Sequence, residues 1–199
     1  DAENALLRDA LKHENVKLVS DARVLRLNAA KNGKEITSLD VNYGDSIITI
    51  KPKLVVVSAG AVNSAALLLR SADSQNPRGL SNSSSMVGGN YMSHHCTFLM
   101  MVDPSEINDS VYQKTVSINE FYLGGGIGDS PLGHVQMCGK ITPPMVQGIY
   151  SWLPEYPLKW LCSHSVDWFL VTEDLPVPDN RLIVDSGDRI RFELTRPNY

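Results

Sequence analysis

Clusters of basic residues are missing from this sequence. No block of Lys and Arg occurs, and a net charge of -4 supplies none of the cationic footprint that a phosphate backbone requires. Nucleic acid is therefore not an expected partner. Long apolar runs are also missing: stretches such as residues 54–57 and 65–69 fall far short of the roughly 20 residues that cross a bilayer as a helix, so no membrane segment is expected. Cysteine is limited to Cys96, Cys138 and Cys162, widely spaced and odd in number, which gives neither a disulfide framework nor a paired zinc motif. Reduced thiols and no metal site follow. The sequence contains no His-Glu-x-x-His, Cys-x-x-Cys or Gly-x-Ser-x-Gly, so zinc and serine hydrolases lose their main signatures. Two triplets starting at Asn82 and Asn108 fit the glycosylation sequon, a pattern that chance produces often.

What is present looks globular. The 199 residues are 43% hydrophobic and 20% charged, enough for one domain or parts of two. The chain opens on Asp1 rather than Met and stops just after an alternating run, which suggests a section of a longer protein. Residues 2–12 place Leu7 and Leu11 on one helical face. Residues 16–19 and 23–27 suggest strands; Asn32-Gly33 supplies turn chemistry before a strand at 36–43, and Gly44-Asp45 before another at 47–50. These make a small antiparallel meander. Residues 54–57, apolar and mostly β-branched, have the pattern of a strand buried on both faces of a parallel sheet. Small residues 58–61 follow, then a helix over 63–71 with Asn63 or Ser64 as its N-cap.

Between residues 73 and 89 Ser, Asn, Gly and Pro dominate, marking a loop. Strand-like pieces follow at 97–102, 111–119, 134–141, 169–172, 181–185 and 189–194, separated by Gly-rich and Pro-rich connections. In the last of them Ile190, Phe192 and Leu194 alternate with polar residues, as a sheet with one solvated face requires. The second half thus reads as a mostly antiparallel sheet.

Several motifs have both a chemical and a plain reading. The small-residue turn at 58–61 lets backbone approach a ligand, and the helix start after it favours an anion; such turns also serve simply to pack a helix closely. The GGGIG run at 124–128 is not a dinucleotide fingerprint, because Asp129 or Pro131 occupies the position of the third glycine. Neighbouring His94, His95 and Cys96 point to alternate faces of a strand and cannot share one metal. Trp152, Trp160 and Trp168, spaced by eight, suggest core or interface packing ahead of a sugar-stacking platform.

Three ordered blocks carry a family resemblance: LVVVSAGAVNSAALLLRS at residues 54–71, VGGNYMSH at 87–94, and EDLPVPDNR at 173–181 with RIR at 189–191 and RPN at 196–198. The first resembles the second signature region of the glucose-methanol-choline oxidoreductases, and the others resemble later segments of its bacterial sugar-acid and polyol dehydrogenase branch. The resemblance implies an α/β plus α+β fold: part of a Rossmann-like FAD-binding domain with a β-meander over residues 1–95, joined to a mostly antiparallel-sheet substrate domain over 96–199. It implies FAD near Val24, Ala59 and Gly60, with Asn90 and His94 in the stretch that approaches the flavin in relatives. The implied partners are an alcohol or sugar substrate and the remainder of the parent chain. The family's glycine fingerprint and its catalytic His are not in this sequence, so no catalytic residue is assigned and the chain alone is expected to be inactive. Ala65 stands where the signature has proline, and Ser93 where the family has aspartate. A different class, a non-catalytic carbohydrate-binding or assembly module using the aromatic segment 150–169, is the competing reading.

Overall fold

The computed structural model describes residues 3–110, 114–125, 131–185 and 189–195. The fold is mixed α/β, and its strands pair antiparallel. Two compact units divide the chain, one of Asp1–Tyr91 with Pro176–Tyr199 and one of Met92–Leu175.

In the first unit a π-helical turn, Glu3–Leu7, runs into a short α1 (Arg8–Ala10). The expected meander is β1 (Ala22–Ala29), β2 (Ile36–Tyr43) and β3 (Ser46–Ile50), in that order. Its register places Leu27 opposite Leu39 and Val41 opposite Ile48. Turn chemistry explains this regularity, because Gly33 and Gly44 both take the positive φ that the two reversals need. Residues 16–19, expected as a strand, form none.

Leu27, Leu67 and Leu80 make the core, with Val24, Val55 and Val57 against it. Leu67 comes from α2 (Gly60–Arg70), which buries Ala66 and Leu67. The helix starts three residues before the expected position, and its N-cap is Ala59, not Asn63 or Ser64. Ser64 still serves the helix start: its Oγ accepts the Ala59 N–H at 3.2 Å. Residues 54–57 do not form the expected buried parallel strand. They form no strand and have no ladder partners among the described residues, and Leu54 and Val56 are 82% and 77% exposed. A run apolar on both faces needs a layer on each side and a strand on each edge; here only Val55 and Val57 find cover.

The loop after α2 is closely tied. Leu80 is buried and its N–H donates to the Leu68 carbonyl. Asn82 is 6% exposed, with its amide donating to the Arg78 carbonyl and accepting from the Val87 N–H. Gly88 meets β8 (Arg181–Val184) through a Leu182 N–H to Gly88 carbonyl bond of 2.7 Å. β8 pairs with β9 (Ile190–Glu193), and Phe192 packs on Tyr91 with ring centroids 4.7 Å apart.

The second unit is a four-stranded sheet in the order β4-β7-β6-β5, formed by β4 (His95–Val102), β5 (Ser117–Ile118), β6 (His134–Met137) and β7 (Ser165–Thr172). The antiparallel expectation holds. β7 begins four residues earlier than its apolar run because Ser165 and Asp167, both buried, alternate with Val166 and Trp168 along the same strand. Residues 111–113 of an expected strand and most of the GGGIG run lie outside the described residues. Two helices stand where connections were expected, α3 (Pro143–Gln147) and α4 (Glu155–Ser163).

Candidate functional site

Val24 lies on β1, opposite Val41 and beside a register shift between Val24 and Arg26. β1 is an edge strand, and a bulge on an edge turns backbone groups away from the ladder. Val24 and Val57 pack against the same leucine cluster, which brings β1 to the approach of the turn at Ala59 and Gly60.

That turn has the features of an anion cradle. Gly60 sits at φ +78°, a conformation that costs an L-residue about 1–2 kcal/mol. A Cβ built there would meet no described atom within 4 Å, so the turn faces open space. α2 is eleven residues long and carries no acidic residue in its first turn, leaving the partial positive charge of its N-terminus unopposed by its own side chains. A helix start of this kind, reached through a small-residue turn, suits an anionic group.

Asn90 also has a positive φ, +52°, and among the described residues its amide reaches only the Met86 sulfur, at 4.0 Å. His94 belongs to the second unit, where it is exposed and its carbonyl faces the Cys96 thiol at 3.6 Å. The structure therefore places Val24, Ala59, Gly60 and Asn90 in one compact unit and His94 in the other.

Next to His94, an acidic group enters that spacing does not reveal. Asp174, 81 residues away in sequence, accepts the Ser93 N–H at 3.1 Å, and its other oxygen lies 3.8 Å from His95 Nε2. A carboxylate thus stands beside position 93 although the residue there is Ser. No signal in the sequence pairs the two segments.

Residues 1–96 match the family described as GMC oxidoreductase. This region of the chain belongs to the GMC oxidoreductase family. Among curated relatives, the chain is 41% identical over 190 residues to a 2-methyl-1,2-propanediol dehydrogenase of Mycolicibacterium austroafricanum, covering 84% of this chain and 33% of that protein. It is 26% identical over 154 residues to the fructose dehydrogenase large subunit of Gluconobacter japonicus, covering 73% of this chain and 28% of that protein. The chain thus spans about a third or less of the curated relatives it matches. GMC oxidoreductases are flavoproteins.

The two departures from the GMC pattern have visible consequences. With Ala65 in place of proline, α2 keeps every N–H donor in its second turn and starts at Gly60 without a side-chain cap on the Ala59 position. Ser93 leaves room for the Asp174 carboxylate, whose bond to its N–H an aspartate at 93 would oppose by like-charge repulsion. Elsewhere the chemistry is quiet. Burial, and then the charge of Asp167, push the Cys138 and Cys162 thiols up, which keeps them protonated and poor nucleophiles. Among the described residues no group of three His, Cys, Asp or Glu could hold a metal, and no helix is long and apolar enough to cross a membrane.

Proposed function

We propose that this chain works as part of a longer FAD-dependent oxidoreductase that oxidises a CH–OH group of a sugar, polyol or other alcohol. When bound, the flavin supplies the hydride acceptor. In this reading residues 1–95 help to hold the cofactor and 96–199 help to shape the substrate side. Val24, Ala59 and Gly60 contribute backbone to the nucleotide, while Asn90 and His94 lie towards the flavin. The alcohol proton goes to a base supplied by another part of the parent protein. The observation that carries the reading is the Ala59-Gly60 turn: a positive φ, open space at the absent Cβ and an acid-free helix start within the region that matches the family.

The test is Gly60→Val in the full-length protein. Valine is β-branched and disfavours positive φ more strongly than alanine, so flavin per protein falls steeply in Gly60→Val and less in Gly60→Ala. Unchanged flavin content in both would remove this turn from the cofactor site.

The exposed aromatics favour a second reading. Trp152 and Tyr156 are 77% and 85% exposed, so of core and interface packing only the interface remains for Trp152, and flat exposed rings also suit sugar faces. Saturable glycan binding by a full-length protein that takes up no flavin would support a carbohydrate-binding module instead.

A further inference from the structure

A cavity of about 730 Å³ opens in the first compact unit, and none of Val24, Ala59, Gly60 or Asn90 lines it. Its size lies within the range of small-molecule sites. Four arginines line it: Arg26 from β1, Arg70 from the end of α2, Arg78 from the loop beyond, and Arg181 from the start of β8. They are four of the nine arginines in a chain of net charge -4. Among the described lining residues a single carboxylate, Asp185, faces them. Asp185 is itself engaged, accepting the Arg189 N–H at 3.0 Å with the Arg189 guanidinium 3.8 Å from its other oxygen. Outside the lining, Asp73 feels the Arg26 charge.

Arg26 and Arg78 are held in place by backbone and side-chain acceptors. Arg26 donates to the Ala72 carbonyl. Arg78 donates to the Ser83 carbonyl at 2.7 Å and to the Ser85 hydroxyl at 2.6 Å. Each guanidinium carries five N–H donors in a rigid fork, so these bonds fix the groups and leave donors over. Gathering cations from four separate segments around one concave space concentrates positive potential there, and the low-dielectric wall strengthens it. Planar forks of this kind match carboxylate and phosphate oxygens two at a time.

We propose that this cavity is a binding site for a small, multiply charged oxyanion, a phosphate- or carboxylate-bearing molecule, separate from the flavin turn at Ala59 and Gly60. The forks take the anionic head, and Leu25 and Leu182 offer apolar wall to the rest of the ligand.

The experiment uses the full-length protein pre-equilibrated with excess FAD, so that the nucleotide site does not compete. Inorganic pyrophosphate and citrate are titrated separately by calorimetry at matched ionic strength, with flavin content read in parallel. The expected result is saturable single-site binding of at least one probe, weakened roughly tenfold or more in Arg181→Gln, since a bond to a charged group of this kind is worth about a factor of ten. Which probe binds tells phosphate from carboxylate ligands. Arg181→Lys, which keeps the charge but loses the fork, is expected to bind with intermediate affinity and serves if the Gln variant does not fold. Absence of saturable binding, as when acidic side chains of the longer protein fill the cavity, would overturn the proposal. Equal affinity in a folded Arg181 variant, or an effect that sodium chloride reproduces, would do the same.

Discussion

Ser71 is fully buried and joins two elements through one hydroxyl. Its Oγ donates to the Leu67 carbonyl at 2.7 Å and accepts the Leu27 N–H at 2.9 Å. Sequence shows a serine at the end of a helix and nothing more, because the strand it serves is 44 residues away. Replacing it with alanine leaves the Leu27 N–H buried without a partner, which costs about 1–3 kcal/mol. Ser71→Ala is expected to lower the unfolding free energy by that amount, read as a lower urea midpoint with an unchanged m-value; a shift within error would show that water replaces the hydroxyl. The sequon asparagines are another case where the letters mislead. The Asn82 amide donates to the Arg78 carbonyl and the Asn108 amide to the Ser165 carbonyl, so both side chains tie their own loops to the fold, a role that the triplets do not reveal. Cysteines differ in the same way. Cys96 is exposed, Cys138 is partly buried and Cys162 is buried, and burial raises the latter two thiols. A maleimide at neutral pH should label Cys96 in this chain well before the other two, as peptide mapping of a time course would read.

Elements were legible where local chemistry fixes them and obscure where distant partners do. The meander could be read almost residue by residue because the turns at Asn32-Gly33 and Gly44-Asp45 sit between alternating runs. The run at 54–57 could not, since its apolar pattern describes neighbours that the described residues do not provide. α3 and α4 were hidden by proline: Pro143 and Pro144 occupy the first turn of α3, and Pro154 is the N-cap of α4. There the missing N–H is no loss, so proline marks a start as readily as a loop. The aromatic period of eight dissolves for the same reason, with Trp160 on α4 and Trp168 on β7. Of the candidate site, the turn at Ala59-Gly60 was visible as small residues after an apolar run, whereas Asp174 came into view only through the fold. The loop beyond α2 adds a pH dependence. Asp73 is held below its ordinary 3.8, first by the Asn76 N–H, with burial acting against it, and then by the Asn76 side chain, the Gln75 N–H and the charge of Arg26. A carboxyl depressed by folding contributes stability that is present above its unfolded pKa and lost as pH falls through the folded value. Asp73→Asn is therefore expected to unfold more readily than the native chain at pH 6, and the gap should close as pH falls below the ordinary carboxylate range. A gap that persists in strong acid would mean that the turn, not the charge, is responsible.

At the scale of the molecule, the chain matches 28% and 33% of the lengths of two curated dehydrogenases. On the proposed function, it is expected to show no alcohol-dependent dye reduction with excess FAD, and the full-length protein is expected to turn over a sugar, polyol or simple alcohol. Turnover by the chain alone that disappears on replacing His94, His95, His134 or His164 would place the base within it. The first compact unit is discontinuous: residues 92–175 intervene before the chain returns at Pro176. β8, whose Leu182 bonds to Gly88, arrives from that return. A Cβ on Gly88 would come within 2.9 Å of the Leu182 carbonyl, at a φ of +81°, so this seam admits no other residue without movement. During synthesis, which runs from the N-terminus at about 5–20 residues per second, the meander and α2 emerge early but stay without β8 while the whole second unit is made. The nascent chain must carry an open seam for several seconds, and a ribosome stalled anywhere between Met92 and Leu175 presents a first unit that lacks its closing strand.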